Sequence, residues 1–278
     1  MSRDHFLPVT YLKNFSENPN AGREATVWRF DGEQSLPVEV GLECVRPSHY
    51  SKSGDQGMFD TLENWYGKFM SKRPVPKELS LGESNRLFGF ILHVHFRGVG
   101  VSYQNDTGKE NKDAYIGLTE EFGRILGLPE ELSSELYQKH LNKVWRARIV
   151  RVTSGELATS DSPVICYGES GRVDVIILPL TPELCAIGFN QLRFNVVSDA
   201  LSPKDEDRLQ RAQLKVCCGN LYTRSRLSND QEQFIRQDGQ IFKKPPGRID
   251  GNTVKLNALL FPKEPFDVFA KVPPEEAI

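Results

Sequence analysis

The sequence predicts an α+β protein, and three observations lead to that prediction. Apolar residues recur at spacings of three and four along several segments before residue 143, which is typical of amphipathic helices. From Lys143 the period changes to two, which is typical of strands. Strands do not alternate regularly with helices, so a doubly wound parallel sheet is not expected. We predict a mostly helical N-terminal half with a small hairpin, an antiparallel sheet from about 143–189, and then a long helix.

The N-terminal half begins with a predicted hairpin over Val27–Val40, where aromatic and β-branched residues flank a turn that contains glycine. Helices are predicted over Met58–Lys72 and over Glu83–Gly98. Apolar residues cover most of the circumference of the second helix, so it should be buried and pack against the first. Two further helices are predicted over 112–126 and 129–142.

The predicted sheet begins where Trp145, Ala147 and Ile149 alternate with arginines. A turn at 154–155 should lead to a partner strand over 157–160. Two more strands are predicted over 173–178 and 184–189, with Pro179 and Pro182 interrupting the chain between them.

A long helix is predicted to start at Ser202-Pro203, because serine is a good N-cap and proline fits the first helical turn. The helix should continue to about Arg224 and contain the pair Cys217-Cys218. The proline-rich residues that follow show no clear period. We therefore predict one α+β domain over 1–228 and a segment over 229–278 that wraps the surface or is partly disordered.

Composition and charge exclude several classes of protein. The 278 residues carry a formal net charge of −2, unlike proteins that coat nucleic acid non-specifically. No stretch approaches the ~20 consecutive apolar residues of a membrane-spanning helix. The five cysteines form no C-x-x-C pair, and the first residues do not resemble a signal peptide. These observations predict a cytoplasmic protein without a membrane partner.

Several short motifs follow one another along the chain. The first is the opening signature His5-x-x-Pro8-x-x-Tyr11-Leu12-x-x-Phe15. The others include Val27-Trp28-x-Phe30-Asp31, Trp145, Thr159-Ser160-Asp161-Ser162-Pro163-Val164 and Leu178-Pro179-Leu180-Thr181-Pro182. Together and in this order, these motifs resemble a widespread microbial family, the domain of unknown function family 4238. The resemblance covers roughly residues 3 to 225. It implies no particular activity and assigns no catalytic residue, so a function has to be inferred from the residues.

A polar stripe interrupts the otherwise apolar central helix. Arg86, Gly89, His93 and Arg97 share one face of that helix. An arginine fork suits phosphate or carboxylate, and a histidine transfers protons near neutral pH. The alternative is that Arg86 and Arg97 form ion pairs with a matching stripe on the preceding helix, which includes Glu63. His95 would point away from His93, so a metal site formed by these two histidines is not expected.

Two further candidates lie in the motifs. His5 is a candidate general acid or base, with backbone bonding in a docked N-terminal segment as the alternative. Asp161 ends a predicted strand and is a candidate base, metal ligand or orienting group, with a turn cap before Pro163 as the alternative. Arg146 and Arg148 lie in a stretch without acidic residues and are candidates for binding phosphate or nucleic acid, as is Arg86.

Two function classes remain open from the sequence. The first is a nuclease-like or other phosphate-processing enzyme, such as an effector of microbial conflict or phage defence. In that class His5, His93, Arg97 and Asp161 would be catalytic, and a divalent metal such as Mg²⁺ is a candidate cofactor. The second is a non-catalytic module that binds a protein or a nucleotide. No nucleotide-phosphate loop, serine-hydrolase elbow or zincin motif is present in the sequence.

Overall fold

The computed structural model describes residues 3–5, 7–47, 56–72, 74–76, 78–104, 143–168, 173–217, 219–237, 259–260 and 266–273. The described chain combines α-helices with mostly antiparallel sheets, which confirms the predicted α+β class. The helices predicted over 112–126 and 129–142 lie outside the described residues. The α-helices of the described residues are α1 (Val9–Leu12), α2 (Gln56–Met70), α3 (Leu81–Gln104), α4 (Pro203–Val216) and α5 (Asn229–Gln237).

The strands of the first half and of the tail are short. They are β1 (Arg3–His5), β2 (Thr26–Phe30), β3 (Ser35–Glu39) and β4 (Val45–Pro47), with β12 (Leu259–Leu260) and β13 (Phe269–Lys271) near the C-terminus. The strands between them are β5 (Trp145–Arg151), β6 (Thr159–Ser160), β7 (Ile165–Tyr167), β8 (Val175–Thr181), β9 (Leu184–Asn190), β10 (Phe194–Val196) and β11 (Leu221–Thr223).

Within the described residues, two larger sheets and two strand pairs form. The larger sheets have the orders β12-β7-β8-β9-β5 and β3-β2-β11-β6. The pairs β1-β4 and β10-β13 form two separate two-stranded sheets. The antiparallel β2-β3 pair confirms the predicted hairpin, and the β5-β9 and β8-β9 pairs confirm that the segment over 143–189 is largely an antiparallel sheet.

The five-stranded sheet is buried on both faces, which explains the uninterrupted apolar run of β8. Ile176, Leu178 and Leu180 face one core with α2, α3 and the N-terminal segment. Val175 and Ile177 face a second core with α4 and the C-terminal strand β13. Strands that are covered on both sides carry apolar residues at successive positions instead of alternating ones.

The central helix α3 lies where the sequence predicts it, between α2 and the sheet. Its start has a capping box, in which the Glu83 carboxylate accepts from the Ser80 N–H at 3.0 Å and Ser80 Oγ accepts from the Glu83 N–H at 3.3 Å. Ser84 Oγ accepts from the Ala147 N–H at 2.8 Å, which joins α3 to the edge strand β5. This position brings His93 close to α2.

Two predicted boundaries are wrong. The residues over 157–160 do not pair with β5, because the chain leaves Gly155 at a positive φ of 67° and β6 joins β11 in the other sheet. The long helix ends at Val216, before Cys217, because Cys217 has an extended ψ of 129° and the chain then forms β11. The predicted N-cap is correct, since Ser202 Oγ accepts from the Asp205 N–H at 3.2 Å.

The predicted division of the chain at residue 228 stays a prediction. Beyond that position the structure describes α5, β12 and β13, and it buries Phe266, Val268 and Phe269 in the second core.

The contact between α3 and β9 leaves no room for a side chain at Gly188. A Cβ atom there would lie 2.7 Å from the Phe88 ring, which is stacked on Trp145 with 5.0 Å between the ring centroids. We expect Gly188→Ala to lower the free energy of unfolding by about 1–3 kcal/mol through overpacking, measured by urea unfolding.

Gly82→Ala is the matched control, because nothing lies within 4 Å of a Cβ atom at that exposed helical position. Its stability should be unchanged or slightly raised. Equal stability of Gly188→Ala and the wild type would contradict the close packing of α3 on β9.

Candidate functional site

The N-terminal signature is anchored by buried aromatic residues. Tyr11, Leu12 and Phe15 are at most 1% exposed. The carbonyl of Pro8 accepts from the Tyr11 N–H at 2.9 Å and from the Leu12 N–H at 3.0 Å, which starts α1. His5 lies in β1, where its backbone pairs with Val45 of β4. The side chain of His5 lies outside what the structure describes, so its catalytic role stays a prediction.

Tyr11 connects three parts of the molecule. Its hydroxyl forms a 2.6 Å hydrogen bond with Thr159 Oγ1 on β6. Its ring lies 6.4 Å from the rings of Tyr66 on α2 and Phe90 on α3, measured between centroids. Burial raises the pKa of Tyr11 well above its ordinary value, so the phenol stays neutral. The N-terminal segment therefore joins the helix pair to the strand that precedes Asp161.

The helix pair contains a histidine–carboxylate contact. His93 Nε2 on α3 lies 3.1 Å from Glu63 Oε1 on α2, and the two side chains are 2% and 22% exposed. His93 also lies near Phe90, with 6.1 Å between the ring centroids. A carboxylate in this position fixes the orientation and the tautomer of an imidazole. The predicted stripe on α3 thus meets the acidic stripe on α2.

The described contact between the stripes involves His93 rather than an arginine. Arg86 lies two turns before His93 and is exposed. Arg97 lies in α3 one turn after His93, and its side chain is outside the described part of the chain. The roles predicted for both arginines stay predictions.

His95 belongs to the core and not to the polar stripe. It is 4% exposed, and burial lowers its pKa to about 4 from an ordinary value of 6.5. The imidazole is therefore neutral at physiological pH.

Asp161 bridges two loops through backbone groups. Its own N–H donates to the Asn220 carbonyl at 3.0 Å, and its Oδ2 accepts from the Asn220 N–H at 3.0 Å. Asp161 is 9% exposed, and its neighbour Ser160 donates to Gln213 Oε1 of α4 at 3.1 Å. The described bonds join Asp161 to the loop before β11. The catalytic role of Asp161 stays a prediction.

A polar cluster that the sequence did not reveal lies beside Asp161, around the hydroxyl of Tyr222. Tyr222 Oη is 3.1 Å from Cys44 Sγ and donates to Glu43 Oε2 at 3.1 Å. Arg29 Nη1 donates to Glu43 Oε1 at 3.1 Å. Burial raises the pKa of the Cys44 thiol well above its ordinary value, and the charge of Asp161 acts in the same direction.

The backbone of Cys44 is unusual, and it brings β4 next to this cluster. Its φ of 54° lies in the left-handed region that residues other than glycine rarely adopt. Val45, the next residue, pairs with His5. Cys44 therefore joins the β4 residue that pairs with His5 to the cluster around Tyr222.

The two arginines of β5 that were predicted to bind phosphate lie away from the Glu63–His93 pair. Trp145, Ala147 and Ile149 face the first core, so the intervening Arg146 and Arg148 lie on the opposite face of the sheet. Arg146 Nη1 donates to the Trp145 carbonyl at 3.0 Å, and Arg148 Nη1 donates to the Val196 carbonyl at 3.4 Å. This face is separated by the sheet from the Glu63–His93 pair.

A family comparison accounts for the order of the motifs. A family model described as protein of unknown function, DUF4238, matches residues 3–227. The chain belongs to this family. Searches of curated proteins and of solved structures returned no match. The match confirms the resemblance inferred from the N-terminal signature and the motif around Asp161.

Two general properties of the described residues bear on the candidate chemistry. They contain no group of three or more histidine, cysteine, aspartate or glutamate side chains placed to hold a metal ion. None of the helices in the described ranges has the length and apolar character to cross a membrane.

Asp161→Ala tests the bridge between the two loops. Removing the carboxylate strands the Asn220 N–H, so we expect the free energy of unfolding to fall by about 1–3 kcal/mol in urea unfolding. Asp161→Asn is the matched control, since it keeps a side-chain oxygen as acceptor and should lose less. Wild-type stability of Asp161→Ala would show that the bridge contributes nothing.

His95 should make stability depend on pH. Because its folded pKa of about 4 lies below the unfolded value of 6.5, the unfolded chain binds more protons between those values. The free energy of unfolding therefore keeps its full value above pH 6.5. It decreases by ~3 kcal/mol in total as the pH falls from 6.5 to the folded pKa of about 4. Urea unfolding from pH 7 to 4 measures it.

The comparison variant is His95→Gln, which cannot titrate. It should show a smaller loss of stability than the wild type over the same pH range. Parallel curves for the two proteins would contradict the depressed pKa.

Proposed function

We propose that this family member is a nuclease-like or other phosphate-processing enzyme, of the kind that acts as an effector in microbial conflict or phage defence. The observation that supports the proposal is the Glu63–His93 contact, in which a buried imidazole is held at 3.1 Å by a partly exposed carboxylate. Enzymes use this arrangement to fix a histidine as a general acid or base. No other pair of described side chains on the predicted polar stripes is joined in this way.

The roles follow from chemistry. In the tautomer that donates its Nε2–H to Glu63, His93 has a basic Nδ1. In hydrolysis of a phosphodiester, a base takes a proton from the attacking water, the bond from phosphorus to the leaving oxygen breaks, and that oxygen is protonated. We assign His93 to proton transfer and Glu63 to holding its ring. Arg97 would stabilise the charge on the phosphate, since a guanidinium binds two phosphate oxygens at once.

The remaining candidates keep supporting roles in the proposal. His5 would be a second proton-transfer group, and Asp161 would orient a partner or bind Mg²⁺. Arg86 would contact a more distant phosphate of a nucleic acid or nucleotide, and Arg146 and Arg148 would contact nucleic acid that extends to the opposite face of the sheet. We place the activity in the cytoplasm, because Cys44, Cys166 and Cys185 are free thiols buried in the fold.

The test is turnover of RNA, DNA and nucleotides by the wild type and by single variants, with Mg²⁺ or Mn²⁺ and then with chelator. Glu63→Gln should lower the rate about 10²–10⁴-fold, because the amide no longer fixes the imidazole in its basic form. Arg97→Lys should also impair turnover, because an ammonium does not reproduce the bidentate fork.

Glu83→Gln is the matched control, since Glu83 is a carboxylate of the same helix pair that contacts Lys72 at 3.2 Å. It should retain wild-type activity. Absence of turnover by the wild type across the panel would contradict the enzyme and favour a non-catalytic module that binds a protein or nucleotide. Loss of activity in chelator would assign a metal to the reaction.

A further inference from the structure

The C-terminal segment over 266–273 lies outside the residues that match the family, yet it packs in the second core. Its strand β13 pairs with β10. The Val197 N–H donates to the Val268 carbonyl at 2.9 Å, and the Val272 N–H donates to the Arg193 carbonyl at 2.9 Å. This segment contacts α4 through Val268, which is bonded to Asp205 of the first turn, and through Phe266, which lies against Arg208.

Phe266 occupies a position between aromatic and cationic neighbours. Its ring is stacked on Tyr167, with 5.3 Å between the centroids and 22° between the planes. Arg208 Cζ lies 4.8 Å from the centroid of the Phe266 ring. We call Tyr167, Arg208 and the adjacent Asp205 the aromatic slot. A tyrosine ring and a guanidinium are the groups that stack on flat aromatic ligands, including nucleic-acid bases.

Asp205 provides a buried acceptor at the slot. It is 0% exposed, its Oδ2 accepts from the Val268 N–H at 3.1 Å, and Arg208 Nη1 is 3.7 Å from its Oδ1. Burial raises the pKa of this carboxyl group, and the N–H groups of Asp267 and Val268 act in the opposite direction. The described contacts of this carboxylate are thus one backbone donor of the C-terminal segment on Oδ2 and the Arg208 guanidinium near Oδ1.

The Phe266–Val268 segment leaves two polar atoms of the aromatic slot without a hydrogen bond. Tyr167 Oη and Asp205 Oδ1 are buried and have no hydrogen-bond partner among the described residues. Tyr167 is 4% exposed, and its pKa is raised first by burial and then by the charge of Asp205, so its hydroxyl stays neutral. Buried polar atoms in folded proteins are normally hydrogen-bonded, and a phenylalanine ring has no polar atom to offer them.

We propose that the aromatic slot is a binding site for a guanine nucleotide, which the chain's own Phe266–Val268 segment fills as an internal competitor. Guanine has two neighbouring N–H donors that a carboxylate accepts together, one on Oδ2 in place of the Val268 N–H and one on Oδ1, which has no hydrogen bond among the described residues. Its flat ring takes the place of the Phe266 ring between Tyr167 and Arg208. The sugar and the polar edge carry groups that can bond to the Tyr167 hydroxyl.

The proposal predicts that the aromatic slot binds guanine nucleotides more tightly than adenine nucleotides. Adenine presents an acceptor where guanine has its ring N–H, so it cannot donate twice to Asp205. The slot lies on the second-core face of the five-stranded sheet, whereas the Glu63–His93 pair lies on the first-core side. The outcome of this test is therefore independent of the phosphate-processing proposal.

Calorimetric titration of GMP and AMP into the full-length protein tests the slot. Phe266→Ala should bind GMP at least 10-fold more tightly than the wild type does, and at least 10-fold more tightly than it binds AMP. Adding Asp205→Asn to that variant should abolish the preference for GMP. Phe234→Ala is the matched control, because Phe234 is an exposed ring with Arg211 Cζ at 5.6 Å, and it should bind GMP as the wild type does.

Hydrogen exchange on the wild type gives a second measurement that does not depend on a variant. Millimolar GMP, but not AMP, should accelerate exchange at the amides of Val268 and Val272, which are bonded to Asp205 and to the Arg193 carbonyl. A folded Phe266→Ala protein that does not bind GMP, or that binds GMP and AMP equally, would overturn the proposal. Unchanged exchange at these amides in GMP would also overturn it.

Discussion

The hydrogen bond between Tyr11 and Thr159 is the interaction on which the arrangement of the first core depends. Both side chains are 0% exposed, so the phenol and the hydroxyl must satisfy each other or lose about 1–3 kcal/mol. The bond fixes α1 against β6, and the ring of Tyr11 then sets where Tyr66 of α2 and Phe90 of α3 pack. The position of the Glu63–His93 contact follows from that packing.

The sequence predicted best where one local pattern decides the structure. The apolar period was sufficient to predict α3, and the capping residues Ser202 and Pro203 were sufficient to predict the start of α4. Each of these features acts within one or two helical turns. The end of α4 was misjudged for a physical reason. Apolar residues continue past Val216 into β11, and period alone does not distinguish a buried helical turn from a short strand. Gly219 was the available signal that the helix stops.

The candidate site was predicted less completely, because its contacts join distant parts of the chain. The helix face that carries His93 could be read from spacing, but the choice of partner depends on how α2 crosses α3, which no local pattern gives. Asp161 and Asn220 are 59 residues apart, and Cys44 and Tyr222 are 178 apart. The cluster around Tyr222 consists of ordinary residue types, so it becomes visible only when the two sheets are in place.

The central position of β11 in the four-stranded sheet has a consequence for folding during synthesis. β11 pairs with β2 on one side and β6 on the other, and Tyr222 bonds to Glu43, which is 179 residues earlier in the chain. At translation rates of 5–20 residues per second, the N-terminal hairpin therefore waits roughly 10–35 s for its partner strand. During that interval the aromatic residues of the first segment have no completed core to enter. The nascent chain should thus be a substrate for chaperones that bind exposed apolar segments, and it completes its first core only when the end of the family region emerges from the ribosome.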